Sequence, residues 1–213
     1  MNEMSAETVL TTTRAVRKRL DLTRPVDLAV VRDCLTIALQ APSGSNRQEW
    51  QWIVVTDAAQ RAAIGDVYRR ACNAYLESAV AAGKLFADDA ERSAVQQRVH
   101  SSVAALADTM GQVPVLLIPC IKTGRDLPAG NQAGLWASLL PAAWSYMLAA
   151  RTRGLGTAWT TLHLTYESEV AEILGLPDGV HQAALIPTAY YTGDSFKPAP
   201  RQPLDEVLHV DRW

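Results

Sequence analysis

Cysteine is scarce in this chain, with three in 213 residues, at Cys34, Cys72 and Cys120, and no CxxC pair among them. An odd number of widely spaced thiols, each among apolar neighbours, argues against a disulfide framework and suits reduced core thiols of a cytosolic protein. An excess of either charge is also lacking: 20 Lys and Arg against 22 Asp and Glu leave a net charge of −2. No general affinity for nucleic acid or an anionic membrane is therefore expected. No apolar run reaches the roughly 18 residues of a membrane span, and Met1–Thr13 is polar, without an apolar signal region. His100, His163, His181 and His209 are too scattered to predict a metal site. Neither a G-x-S-x-G elbow nor an H-E-x-x-H pair occurs, and there is no Rossmann glycine fingerprint, repeat or low-complexity stretch. What these absences leave is a soluble cytoplasmic protein with 48% apolar residues, read as one domain over residues 1–213 with a flexible arm at 1–13.

The periodicity predicts a mixture of helices and strands. Pro25–Gln40 reads as a helix, with Leu28, Val31, Leu35 and Leu39 on one stripe, Asp27 in its first turn and Pro42 as its stop. Gln51–Thr56 is a strand. Residues 58–112 form a helical insertion with a break around Gly83 and Asp88-Asp89. Val113–Ile121 is a strand apolar enough to be buried on both faces, with Pro114 and Pro119 near its ends. Leu135–Arg153 reads as a helix buried nearly all round, kinked or restarted at Pro141 and closed by Gly154. Leu155–Thr161 is a third strand, Thr165 caps a helix through Leu174, and Ala183–Tyr191 is a fourth strand. A last short element begins near Pro203. This order lacks the regular alternation of a doubly wound sheet and predicts an α+β sandwich, helices against a mostly antiparallel sheet.

Three segments carry the candidate chemistry. Arg14 and Arg17 stand three positions apart and can share one phosphate, each offering a planar fork of donors; a solvated basic run is the alternative. The loop Pro42-Ser43-Gly44-Ser45-Asn46-Arg47-Gln48 joins a helix to a strand. Its Ser43, Ser45, Asn46 and Gln48 offer donors and acceptors in quick succession, and Gly44 permits close approach and positive φ. An ordinary polar turn would look similar, but Trp50-Gln51-Trp52 directly after it narrows the pattern. Third, Gly154-Leu155-Gly156-Thr157 leads to Thr161-Leu162-His163-Leu164, whose amides precede a helix with a positive dipole end behind them and can donate to a ligand; a Schellman cap followed by a core strand is the alternative.

These segments, in this order, resemble the nitroreductase family from Arg14 to Arg201. The family's Arg-(Arg)-Ser-x-Arg opening is matched by Arg14, Ala15 and Arg17, and its APSGxNxQPW loop by Ala41–Trp50. Its Gly-Leu-Gly-Thr turn is matched by Gly154–Thr157, its strand proline by Ile186-Pro187, and its Lys/Arg-x-Pro-Leu tail by Arg201–Leu204. The resemblance implies a nitroreductase-like sandwich in an intertwined homodimer, with FMN bound at the interface. It implies that Arg14, Arg17 and Arg201 hold the FMN phosphate, Ala15 contributing its backbone. Pro42, Ser43, Gly44, Ser45, Asn46 and Gln48 would line the ribityl chain and ring, and Thr161, Leu162, His163 and Leu164 would meet N5 through the main chain. Three positions depart from the pattern: Ala15 replaces Ser, Glu49 replaces Pro, and His163-Leu164 replace the Glu-Gly of some members.

No catalytic side chain and no metal is expected, because the chemistry would belong to the flavin. NADPH or NADH would reduce it, and a small-molecule acceptor such as a nitroaromatic or a quinone would reoxidise it in ping-pong order. Tyr68, Tyr75 and Phe86 are candidates for the acceptor wall, core packing being the other role open to each. Dehydrogenation, dehalogenation or fragmentation of the flavin remain open on the same fold, as does a non-catalytic flavin carrier.

Overall fold

Asp27, Asp57 and Asp89 each start a helix by accepting a backbone amide. The computed structural model describes residues 4–213; Met1–Glu3 of the expected arm lie outside the described residues. The rest of that arm is not a free coil. Ser5 accepts from the Thr8 amide at 3.1 Å and opens α1 (Ala6–Thr12), which buries Val9 and Thr12. Within the arm, a capped helix with two inward side chains has somewhere to pack.

In α2 (Leu28–Ala38), Asp27 is the N-cap, not a first-turn residue, with its carboxylate 2.8 Å from the Ala29 amide. The buried stripe is Val31, Cys34 and Ala38; Leu28, Ile37 and Leu39 of the predicted face and its flank stay exposed. β1 (Trp50–Val55) then pairs antiparallel with β2 (Val115–Lys122), Trp50 opposite Ile121 and Val55 opposite Leu116. Between them stand α3 (Ala58–Glu77) and α4 (Ala90–Thr109), capped by Asp57 and Asp89, with a 3-10 turn at Ala82–Lys84 marking the predicted break. α3 crosses the turn Met110–Gln112 so closely that a Cβ at Gly65 would stand 2.6 Å from the Gly111 nitrogen.

The predicted Leu135–Arg153 helix is two: α5 (Ala133–Trp136) and α6 (Leu140–Thr152). Pro141 falls in the first turn of α6, where its missing N–H was unpaired anyway. α6 is not buried all round, since Trp144 is 38% exposed. Gly154, at φ +74°, turns the chain into β3 (Leu155–Thr157). That strand ends four residues before the predicted limit, because Ala158 and Trp159 leave the sheet and only Thr160 returns, bridging Leu185. Thr165 caps nothing; the chain winds a 3-10 turn, Leu162–Tyr166, directly into α7 (Glu167–Leu174). β4 (Val180–Gln182) was not anticipated, and β5 (Ile186–Tyr190) is the core of the predicted fourth strand. The last element is a 3-10 turn at Leu204–Glu206.

The strand order is β1-β2-β5-β3, every pair antiparallel, with β4 beside the far end of β2. The expected α+β sandwich is thus observed. Alternation along β2 decides what covers each face. Leu116, Ile118 and Cys120 pack with Ile64, Tyr68, Val103 and Leu106 of the insertion. Val115 and Leu117 pack with Val31 and Cys34 of α2 and Tyr146 and Met147 of α6. No helix among the described residues is long and apolar enough to cross a membrane.

Candidate active site

The Arg14–Arg19 segment forms a strap laid along β3. Ala15 bridges Thr157 in the parallel sense, and the Val16 amide donates to the Thr157 carbonyl at 2.8 Å. Gly156 permits this approach, since a Cβ there would stand 2.9 Å from Val16 Cγ1. The strap is tied to the C-terminal segment by its own arginines. Arg19 donates to the carbonyls of Thr192 at 2.6 Å and Ser195 at 3.1 Å, and lies 4.2 Å over the Phe196 ring. Arg14 donates to the Lys197 carbonyl at 2.8 Å.

Arg17 points the other way, into the protein. Its Nη1 reaches Ser102 Oγ of α4 at 3.4 Å, and its buried Nε has no partner among the described residues. Burial lowers its pKa from the ordinary arginine value, while the nearby hydroxyls of Tyr68 and Tyr75 pull the other way; a guanidinium stays charged regardless. A cavity of about 430 Å³ opens here, with Arg14, Arg17, Lys18, Arg19 and Arg98 in its walls beside Ala15 and Ser102, and no carboxylate. Lys18, Arg98 and Ser102 were not singled out from the sequence. Their signal was the pairing of a basic run with a helical i, i+4 face, and the two lie 85 residues apart at Arg17–Ser102.

From β3 the chain passes to Thr161–Leu164. The amides of Thr161, Leu162 and His163 have no acceptor among the described residues, and the first bond of the turn is Leu164 N–H to the Thr161 carbonyl at 3.1 Å. Such orphan donors are what the start of a helical segment leaves free. The His163 side chain is fully buried, and neither ring nitrogen makes a well-formed hydrogen bond. Burial pushes its pKa down to about 4, slightly opposed by Gln182 alongside. Gln182 is itself anchored, its backbone amide on Glu167 Oε1 at 2.8 Å and its side-chain amide on the Glu167 carbonyl at 2.9 Å.

The Pro42–Gln48 loop is exposed and internally bonded. Ser43 Oγ accepts from the Gln48 amide at 3.1 Å, Gln48 Nε2 donates to Asn46 Oδ1 at 3.1 Å, and the Gly44 amide donates to Ser138 Oγ at 3.0 Å. Positive φ falls not on Gly44 but on Ser45, Asn46 and Gln48, at 51°, 52° and 53°. Three non-glycine residues in the left-handed region store strain of roughly 1 kcal/mol or more each. Glu49, in place of the pattern's proline, pairs with Arg47 at 2.6 Å, so its charge is matched within the loop.

The structure brings Arg14, Ala15 and Arg17 to the Thr157 edge that continues into Thr161–Leu164. It leaves Pro42–Gln48 elsewhere: the loop feeds β1, and the strap borders β3, the two ends of the strand order. Arg201 joins neither. It lines a separate cavity of about 510 Å³ with Phe86, Arg92 and Pro203. Tyr68 is fully buried and Tyr75 accepts from the Ala82 amide at 2.8 Å, so both pack; Phe86, at φ +58°, is partly exposed with the Arg92 guanidinium 3.6 Å from its ring centre.

Comparison with known proteins gives the family and the fold. Residues 10–190 match the model of the Nitroreductase family. The chain is 24% identical over 182 residues to a Bacillus subtilis (strain 168) protein named "Putative NAD(P)H nitroreductase YfhC", covering 85% of this chain and 82% of that one. Among solved structures, the FMN and NADPH-dependent nitroreductase NfnB from Sphigopyxis sp. strain HMH superposes with a TM-score of 0.67 at 24% identity, over 99% of this chain and 100% of that one. Iodotyrosine deiodinase bound to FMN and 3-iodo-L-tyrosine gives a TM-score of 0.67 at 20% identity, over 92% and 94%. At such identities the structures speak for the fold, while the family model spans most of the sequence, and the chain belongs to the nitroreductase family.

Proposed function

We propose that this chain is an FMN-dependent oxidoreductase that takes hydride from NADPH or NADH and passes it, in ping-pong order, to a nitroaromatic, a quinone or a similar small acceptor. The observation that carries this reading is the carboxylate-free cationic cavity on the strap, linked through β3 to three unpartnered amides at Thr161–His163. FMN has matching needs at its two ends: cations for a phosphate dianion and neutral main-chain donors at the ring edge. Arg17, aided by Arg14, would hold the phosphate, and Ser102 stands where it can supply the hydroxyl that Ala15 lacks. Thr161, Leu162, His163 and Leu164 would border the ring through their backbone. When bound, the flavin supplies hydride chemistry at N5. The protein's own part is to bind, orient and exclude; His163, buried and neutral, is not a proton donor at working pH.

The Pro42–Gln48 loop would close the site from a second copy of the chain. Strap and loop stand beyond opposite ends of the strand order, the strap one place outside β3, so four inter-strand spacings or roughly 19 Å separate the strap from β1. A two-fold dimer brings the loop of one copy to the strap of the other. Exposed apolar side chains support such a partner: Ile37 and Leu39 at the end of α2, and Leu204, Val207, Leu208, Val210 and Trp213 in the C-terminal segment. Initial rates with NADPH and a quinone or nitroaromatic test the function. Parallel double-reciprocal lines are expected; intersecting lines, or no turnover by fully FMN-loaded protein, overturn it.

A further inference from the structure

We infer that Lys18 and Arg98 of the cationic cavity, with Ser101 bonded to Lys18 at its margin, form a second phosphate site, which takes the 2′-phosphate of NADPH and makes it the preferred reductant. This rests on the flavin reading for the inner half. Arg98, Ser101 and Ser102 fall at i, i+3 and i+4 and so share one face of α4. That face meets the strap in two tiers. The inner pair is Arg17 and Ser102; the outer is Lys18 Nζ on Ser101 Oγ at 2.7 Å.

One flavin phosphate does not account for all the charge. Five cationic side chains line the cavity with no acid among them. Arg14 and Arg19 are held on backbone carbonyls of the C-terminal segment, and Arg17 is the inward one. Lys18 and Arg98 remain. Neither joins an ion pair among the described residues, where the three pairs are Arg47–Glu49, Arg69–Asp66 and Arg70–Glu169. Like charges gathered without a counter-charge repel, and an arriving dianion relieves that repulsion. A phosphomonoester offers three oxygens to a point charge, a guanidinium fork and a hydroxyl together. Both outer cations are solvent-exposed, as suits a substrate that must leave after each turnover. A pyrophosphate is the lesser fit, since it carries one charge per phosphorus and no glycine-rich helix start is present to cradle it.

FMN-loaded wild type, Arg98→Gln and Lys18→Gln test this. The wild type is expected to favour NADPH over NADH in kcat/KM by about tenfold or more, and each variant to lower that ratio about 5- to 10-fold, mainly through KM for NADPH. Calorimetric titration with adenosine 2′-monophosphate and adenosine 5′-monophosphate gives a readout independent of turnover. The 2′ isomer should bind wild type more tightly, and Arg98→Gln should abolish the difference. Equal use of both donors by wild type, or equal losses for both donors in the variants, overturns the proposal. Failure of the flavin reading shows separately, as protein that takes up no FMN. Titration of that flavin-free protein with adenosine 2′-monophosphate still reports whether Lys18 and Arg98 bind phosphate.

Discussion

Arg17 combines a buried, unpartnered Nε with the absence of any carboxylate facing it, so its charge is a burden to the fold and a resource for an anion. Arg17→Met should leave the flavin-free thermal midpoint unchanged or higher, because a poorly compensated buried charge is removed. It should also weaken FMN binding by at least about tenfold, the loss of one charged hydrogen bond being worth roughly 1.5–3 kcal/mol. Flavin-fluorescence titration beside a thermal melt checks both; a lower midpoint with intact FMN affinity would contradict the assignment. His163 makes a pH prediction. Its pKa falls from the ordinary 6.5 to about 4 on folding. Between those values the unfolded chain binds a proton that the folded chain does not, so stability is full above pH 6.5 and declines as the pH falls toward 4. The slope is about 1.4 kcal/mol per pH unit for one proton. Chemical denaturation across this range should show that acid limb in wild type, and His163→Leu should flatten it; an unchanged limb assigns the proton elsewhere. The three thiols are buried, with pKa values pushed up to about 11 for Cys34 and Cys72 and about 12 for Cys120. Native protein should therefore resist thiol reagents that label the unfolded chain.

Among the elements, the contact of the strap with β3 depends on one absent side chain. Gly156→Ala puts a methyl group within about 3 Å of Val16. Moving Val16 shifts the strap and with it Arg17, so FMN affinity should fall although the substitution touches no ligand; unchanged affinity and stability would show that the strap yields freely. The contrast with Gly65 is useful. There the Cβ would meet backbone of Gly111, which cannot rotate away, and Gly65→Ala should destabilise the fold outright, by about 1–3 kcal/mol or more. What was legible in the sequence follows the same division between local and distant causes. Pro141 and Gly154 were readable because a helix start and a helix end are set by the residues at the spot. The end of β3 and the existence of β4 were not, because partners far along the chain decide them; the helix in the N-terminal arm went unread although its cap, Ser5 on the Thr8 amide, is local. Within the site, the strap and the Thr161–Leu164 turn were legible as motifs. Arg98 and Ser102 were not, since only the packing of α4 on the strap gives them a role. The loop's strain falls on Ser45, Asn46 and Gln48 instead of Gly44, which is held by Ser138 from another segment.

For the whole molecule, the separation of strap and loop makes a complementation prediction. Arg17→Met disables one half-site and Asn46→Gly the other, the glycine keeping the positive φ of that position. Each variant alone should bind FMN poorly. Co-refolded in equal amounts and paired at random, they should regain roughly one site in four, built from the two unmutated halves. No recovery would mean that both halves come from one chain. Removing residues 204–213, which expose Leu204, Val207, Leu208, Val210 and Trp213, should shift the assembly toward monomer in equilibrium sedimentation and release flavin with it. The most direct measurement is the visible spectrum of the purified, FMN-supplemented protein under anaerobic conditions, before and after NADPH, with NADH in parallel. A bound-flavin band near ~450 nm that bleaches on addition of reductant is the predicted result. A protein that shows no such band after FMN is supplied, or a band that neither donor bleaches, would contradict the assignment of this chain as an FMN-dependent reductase.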